Sequence, residues 1–290
     1  MSKIWIDGEF VDAANATVSV FDHGLLYGDG CFEGIRIYNG RIFKLRSHLQ
    51  RMFESAEAIR LEPNYSIEEL EAIIREAVEV NEQNNGYIRL VFTRGIGTLG
   101  LNPFLCPTPT TIIIVENIKL YEESMYDAGM PIIVAKRPRV PASCLDPQVK
   151  SLNYLNNILA KIEAIDAGVP EALMLNIQNE VAECTGDNIF VIKDGKISTP
   201  PTNTGILQGV TRQFVIDEIA PALGYSVQEL TLTLDEVKNA DEVFLTGTAA
   251  EIIGVRSIDD KNIGCGKVGE ITRSFVAEFR DKVSENAPED

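Results

Sequence analysis

The chain has 290 residues, 45% of them hydrophobic, which is too much for one small core and makes two domains the expectation. Its formal net charge of −17 argues against nucleic acid, because neutralising phosphates takes clustered Lys and Arg. Five scattered cysteines with no C-x-x-C pair, and two histidines in all, argue against a structural metal site and for free thiols in a reducing compartment.

In chain order, the opening Met-Ser-Lys-Ile-Trp-Ile-Asp has no apolar core of signal-peptide length. No later segment reads as a membrane span, so a cytoplasmic location without a membrane partner is expected. Residues 3 to 11 and 16 to 21 read as strands, and 32 to 43 as a hairpin turning at Asn39-Gly40. The first helix carries Leu45, Leu49, Met52, Phe53, Ala56 and Ile59 on one face. The second opens on the capping box Ser66 to Glu69, ahead of Leu70, Ile73, Ile74 and Ala77. Strands at 87 to 93 and 110 to 115 complete a small α/β domain over residues 1 to 118. A linker loop at 119 to 130 leads to a larger α/β domain at 131 to 290. Its strands are expected at 132–135, 172–176, 188–193, 196–199, 227–231, 242–246 and 252–258. Helices are expected near 151–167, 211–223, 234–239 and 267–283, before a polar, frayed tail from Ser284 to Asp290. The fold class is α/β (α+β) in two domains.

Gly95-Ile96-Gly97-Thr98-Leu99-Gly100 satisfies the G-x-G-x-x-G dinucleotide pattern and follows a strand. That fingerprint needs a helix to start inside it, and Pro103, Pro107 and Pro109 forbid one, so the dinucleotide reading is set aside.

Lys150 follows a turn-prone stretch containing Pro138, Pro141 and Pro147. It precedes an apolar 3.6-residue rhythm at Leu155, Leu159, Ile162 and Ile165 that ends at Gly168. The lysine therefore reads as standing at a helix mouth, where an ammonium group is disfavoured and a buried amine gives up its proton more readily. A neutral amine is what a carbonyl cofactor needs, although most lysines are solvated surface charges. Two glycine-punctuated loops could hold an anion. Gly205 to Arg212 runs into a helix with Val210 and Thr211 in its first turn, and Thr246-Gly247-Thr248-Ala249-Ala250-Glu251 joins two strands. Each alone is equally an ordinary helix cap or tight turn. Glu183 lies in a polar turn ahead of an apolar strand, as a solvated carboxylate or as the acidic partner of a pyridine nitrogen.

Taken together, six ordered runs resemble class IV aminotransferases, and within them the branched-chain amino-acid aminotransferases. They are Phe32-Glu33-Gly34-Ile35-Arg36, His48-Leu49-Gln50-Arg51, Lys150-Ser151-Leu152-Asn153-Tyr154, Glu183-Cys184-Thr185-Gly186-Asp187-Asn188-Ile189-Phe190, Leu207-Gln208-Gly209-Val210-Thr211-Arg212 and Thr246-Gly247-Thr248-Ala249-Ala250-Glu251-Ile252. The resemblance covers the chain from Trp5 to the last helix. It implies a two-domain fold-type-IV enzyme that uses pyridoxal 5′-phosphate at the domain interface. By the same resemblance Lys150 forms the Schiff base and shuttles the proton, Glu183 pairs with the pyridine nitrogen, and Tyr154 bonds the ring hydroxyl. Arg51, Gly209, Val210, Thr211 and Thr248 hold the phosphate, and Leu207 packs on the ring.

For substrate, the resemblance places Phe32, Gly34, Tyr87, Arg89, Thr248 and Ala249 around an amino acid or 2-oxo acid. Tyr27 and Leu101 arrive from the second copy of a homodimer or higher homo-oligomer. Arg89 and Arg94 could each be structural or receive the γ-carboxylate of glutamate. The implied activity moves the amino group of leucine, isoleucine or valine onto 2-oxoglutarate. D-amino-acid or (R)-amine transamination, aminodeoxychorismate lyase activity, or a non-catalytic binding role on the same fold are the alternatives. D-amino-acid enzymes bring Arg and His from the loop after the Tyr87 strand, and residues 95 to 104 contain neither.

Overall fold

A computed structural model describes residues 2–118 and 121–285, and the chain separates into two units by internal contacts. One takes the chain up to Ile118, the short return Val149–Asn153 and the end from Val283; the other takes the remainder.

The first unit contains β1 (Lys3–Ile6), β2 (Glu9–Asp12), α1 (His23–Tyr27), β3 (Gly30–Tyr38), β4 (Arg41–Ile42), α2 (Leu45–Ala58), α3 (Ile67–Val80), β5 (Gly86–Thr93) and β6 (Thr110–Glu116). The strands form an antiparallel sheet in the order β2-β1-β6-β5-β3-β4. Strand alternation sends Cys31, Ile35 and Ile37 into a core shared with Leu45, Leu49, Met52 and Ala56 of α2 and Leu70, Ile74 and Ala77 of α3. The β3–β4 turn is built by positive φ at both central residues, 51° at Asn39 and 78° at Gly40, which matches the twist of a two-residue hairpin. The capping box of α3 is formed in both directions, Ser66 Oγ accepting from Glu69 N–H and the Glu69 carboxylate from Ser66 N–H.

Residues 16 to 21 do not form the expected strand. Their β-branched residues have no partner strand, and Val18, Val20 and Phe21 stay exposed. The placement of Lys150 differs as well. Strand β4 pairs only with Ile37 and Tyr38, which leaves the start of β3 with an open edge, and residues 149–153 take it. Phe32 N–H donates to Lys150 O at 3.0 Å, Leu152 N–H to Gly30 O at 2.9 Å, and Cys31 pairs with Ser151. The helix that follows starts only at Leu155, so Lys150 is an extended residue and not the mouth of a helix.

The second unit contains α4 (Glu123–Ala128), β7 (Met130–Val134), α5 (Leu155–Asp166), β8 (Glu171–Leu175), β9 (Val181–Cys184), β10 (Asn188–Lys193) and β11 (Lys196–Thr199). It continues with α6 (Val210–Phe214), α7 (Ala220–Ala222), β12 (Val227–Glu229), α8 (Leu234–Lys238), β13 (Glu242–Gly247), β14 (Glu251–Ile258), β15 (Lys261–Asn262) and α9 (Glu270–Glu285). A π-helical stretch, Val215–Ile219, joins α6 to α7. The sheet is mixed, in the order β12-β11-β10-β13-β14-β7-β8-β9, with β15 paired to β14.

The stretch expected as a linker loop instead holds α4, and Tyr121 is buried in the core of this unit. Lys119 and Leu120 lie outside the described residues, as do 286–290 of the expected tail, whose first residues continue α9. In α5 the apolar rhythm marks the helix but not its buried face. Asn157, Ala160 and Ala164 face inward, where small side chains let the helix approach β8. Leu155, Ile158, Ile162 and Ile165 are exposed. Among the described residues no helix is long and apolar enough to cross a membrane.

Candidate active site

In the first unit, the pleat of β3 sends Phe32 and Gly34 to one face and Glu33 to the other, toward α2. Helix α2 meets it with His48, Arg51 and Ser55, spaced by three and four residues and so aligned on one side. Arg51 grips the Glu33 carboxylate with Nε at 2.7 Å and Nη2 at 2.9 Å, and His48 Nδ1 lies 2.8 Å from the same group. Ser55 Oγ accepts from the backbone N–H of Lys150 at 3.1 Å. Burial opposes ionisation of Glu33, but Arg51 and then His48 outweigh it and hold its carboxyl well below the usual range. Burial pushes the His48 imidazole below its ordinary value against the opposing pull of Glu33.

On the other face of β3, the Lys150 ammonium lies 4.7 Å from the centre of the Phe32 ring, and the Arg89 guanidinium 4.5 Å from it. Arg89 also reaches the Tyr87 hydroxyl at 3.4 Å. A β-carbon at Gly34 would lie 1.7 Å from that hydroxyl, so any larger residue there must displace the Tyr87 ring. Lys150, Phe32, Gly34, Tyr87 and Arg89 are thus brought together. Arg94 is not part of this group. It forks onto Asp29 at 2.9 Å and donates to the carbonyls of Arg60 and Ile59 at 2.7 and 2.6 Å, a structural tie. Tyr27 ends α1 and its hydroxyl accepts from Gly100 N–H at 3.0 Å, next to the strongly exposed Leu101.

In the second unit, Glu183 is not in a polar turn. It is buried within β9, because the turn comes only after Cys184. Arg139 Nε donates to its Oε1 at 2.9 Å, while Asn188 Nδ2 and the Leu207 N–H donate to Oε2 at 3.2 and 3.0 Å. Asn157 orients Arg139 by accepting at 2.9 Å. No motif in the sequence marks Arg139, which stands in a proline-rich irregular stretch. Leu207 and Glu183 are joined by this network, and Tyr154 is the N-cap of α5.

Gly209 caps α6 without a side chain, leaving first-turn N–H groups of Val210 and Thr211 with no side-chain cap. Helix α6 packs against β13, whose end carries the second loop with Thr248 and Ala249 in its turn. β-Carbons at Gly209 and Gly247 would lie 2.2 Å from Asn188 Oδ1 and 2.0 Å from Asp187 Oδ1. The buried hydroxyls of Thr211 and Thr246 have no hydrogen-bond partner among the described residues. Unsatisfied buried hydroxyls beside uncapped helix N–H groups are what a phosphate would complete, so the residues fit a phosphorylated cofactor. No sequence pattern gives Thr246 a role of its own; only the unpaired hydroxyl marks it.

Behind Gly247 lies a buried acidic pair. The Tyr121 hydroxyl bridges Asp187 at 3.2 Å and Glu171 at 3.4 Å, and Lys161 reaches Glu171 at 3.2 Å. Burial, followed by the Glu171 charge, pushes the Asp187 carboxyl up to about 7.

The sequence profile of amino-transferase class IV matches residues 30–258. The chain belongs to the class IV aminotransferase family. Its cofactor is pyridoxal 5′-phosphate, the cofactor of that family. This class IV chain is 46% identical over 279 residues to a Methanocaldococcus jannaschii protein provisionally named a branched-chain-amino-acid aminotransferase, covering 96% of each. It is 38% identical to the D-alanine aminotransferase of Staphylococcus haemolyticus, covering 96% of this chain and 97% of that one. The T.th. branched-chain amino acid aminotransferase with pyridoxamine 5′-phosphate superposes with a TM-score of 0.92 at 38% identity, covering 96% and 93% of the two chains. The same enzyme complexed with N-(5′-phosphopyridoxyl)-L-glutamate superposes at 0.89 and 37% identity, with the same coverage.

Proposed function

We propose that this class IV aminotransferase moves the amino group of branched-chain L-amino acids onto 2-oxoglutarate, by two half-reactions on one site. The cofactor, when bound, supplies the aldehyde and the electron-withdrawing ring. Lys150 supplies the amine that meets the aldehyde carbon and carries the proton to and from the substrate's α-carbon. Glu183, held by Arg139 and Asn188, keeps a proton at the ring nitrogen, and Tyr154 bonds the ring hydroxyl. Arg51 with Gly209, Val210, Thr211 and Thr248 takes the phosphate, while Leu207 covers the ring. Phe32, Gly34 and Tyr87 surround the substrate, and the Tyr87 hydroxyl with the N–H groups of Thr248 and Ala249 receives the α-carboxylate.

Arg89 is the group for the second carboxylate of glutamate or 2-oxoglutarate, and the glutamate adduct on the T.th. enzyme supports glutamate as a substrate of this fold. Exposed Tyr27, Leu99, Leu101 and Phe104 support a homodimer in which Tyr27 and Leu101 complete the partner's pocket. A cytoplasmic location belongs to the same reading.

One observation carries the substrate choice: the loop after the Tyr87 strand, residues 95 to 104, offers no Arg or His for the carboxylate of a D-amino acid. The resemblance to a D-alanine aminotransferase makes D-alanine the necessary control. In single-turnover half-reactions the bound-cofactor absorbance is expected to bleach quickly with L-leucine and slowly or not at all with D-alanine and (R)-1-phenylethylamine. Fast bleaching by D-alanine with none by L-leucine would reverse the assignment.

A further inference from the structure

Two buried ionisable groups, Glu33 and His48, stand in the runs Phe32 to Arg36 and His48 to Arg51 but have been given no contact with substrate or cofactor. The Glu33 carboxylate accepts from four donors. Its Oε1 accepts from Arg51 Nε at 2.7 Å, and its Oε2 from Arg51 Nη2 at 2.9 Å, His48 Nδ1 at 2.8 Å and Gly34 N–H at 3.2 Å. Four donors thus engage a fully buried carboxylate, three of them on Oε2, which ties Glu33 into the fold. Burying such an ion pair seldom stabilises a fold more than apolar side chains of the same shape would.

What the arrangement does accomplish is geometric. Two adjacent guanidinium donors are locked into one plane by a carboxylate that the backbones of β3 and α2 hold in place. Neutral His48, donating through Nδ1–H, fixes the second oxygen. An arginine without such a fork samples many rotamers, and ordering it on binding costs affinity.

We propose that Glu33 and His48 are positioning residues that hold Arg51 ready for the cofactor's phosphate. The proposal rests on the reading that Arg51 meets that phosphate. Geometry here works against charge, because Glu33 by itself repels a phosphate.

The test measures dissociation constants of pyridoxal 5′-phosphate and of pyridoxal, the same ring without phosphate, on the cofactor-free full-length chain. The pyridoxal constant divided by the pyridoxal 5′-phosphate constant isolates the phosphate contribution. Arg51→Met is expected to collapse the ratio; if it does not, the Arg51 reading fails and the proposal falls with it. Where it does, Glu33→Gln is expected to lower the ratio roughly tenfold, with pyridoxal binding unchanged, since an ordered side chain is lost. In the Glu33→Gln/Arg51→Met double variant the two effects do not add, as expected for one shared interaction. An unchanged or raised ratio in Glu33→Gln overturns the proposal, a rise being what removal of a repelling charge alone would give. Histidine variants keep the test open if Glu33→Gln does not fold. His48→Phe preserves shape and lowers the ratio, while His48→Asn, whose amide N–H replaces Nδ1–H, restores it. Equal behaviour of the Phe and Asn variants would remove His48 from the positioning role.

Discussion

Gly34 has no space for a methyl group, because the Tyr87 hydroxyl occupies the position a β-carbon would need. Gly34→Ala must displace Tyr87 or bend β3, and overpacking of this kind costs about 1–3 kcal/mol. The specific expectation is a raised KM for the amino acid with unchanged cofactor affinity, measured by steady-state kinetics and cofactor titration. A parallel loss of both would mean that Gly34 serves only the fold. Glu183 makes a second residue-scale case. Its buried pairing with Arg139 means that Glu183→Gln leaves a guanidinium without its charged partner, a change that costs about 3–5 kcal/mol in comparable buried pairs. Cofactor should stay bound while turnover falls by about 10²-fold or more, the scale of a mispositioned proton. Unchanged turnover would show that Glu183 does not serve the ring nitrogen.

At the scale of elements, α3 depends on its reciprocal cap, and Ser66→Ala should lower stability by about 1 kcal/mol in denaturant unfolding with activity intact. The turn from β9 into β10 carries the pH dependence. Because the folded state raises Asp187 from an ordinary 3.8 to about 7, it binds more protons than the unfolded chain across that window. Stability from this group is therefore greatest in acid and falls as pH rises toward about 7. Asp187→Asn should flatten the change in Tm between pH 5 and 8 measured by calorimetry; an identical slope in both proteins would place the proton elsewhere.

These elements also show what the chain's pattern can convey. The capping box, the Asn39-Gly40 hairpin and most strands are local features written in adjacent residues, and they could be read directly. The environment of Lys150 could not, because its partner edge on β3 lies more than a hundred positions earlier and depends on how short β4 is. The polar line His48, Arg51 and Ser55 was present as helical spacing but lay beside the stronger apolar face of α2. Arg139 carries no pattern at all, since only a third residue, Asn157, and the buried Glu183 give it direction.

At the scale of the whole molecule, Lys150 and Arg51 belong to the first unit, and Glu183 with the two glycine-punctuated loops to the second. The high negative charge opposes association of copies, so a homodimer must rely on apolar contact. Sedimentation should give twice the 32.0 kDa chain mass, and a Leu99→Lys/Leu101→Lys variant should sediment as a monomer with little activity. A fully active monomer would remove the partner's Leu101 from the pocket. The proposed chemistry requires Lys150 to carry the cofactor. Borohydride reduction of the holoenzyme, followed by peptide mass mapping, tests this directly. A phosphopyridoxyl mass is expected on the peptide bearing Lys150 and none in Lys150→Ala. A label on any other lysine, or one that persists in Lys150→Ala, would contradict it.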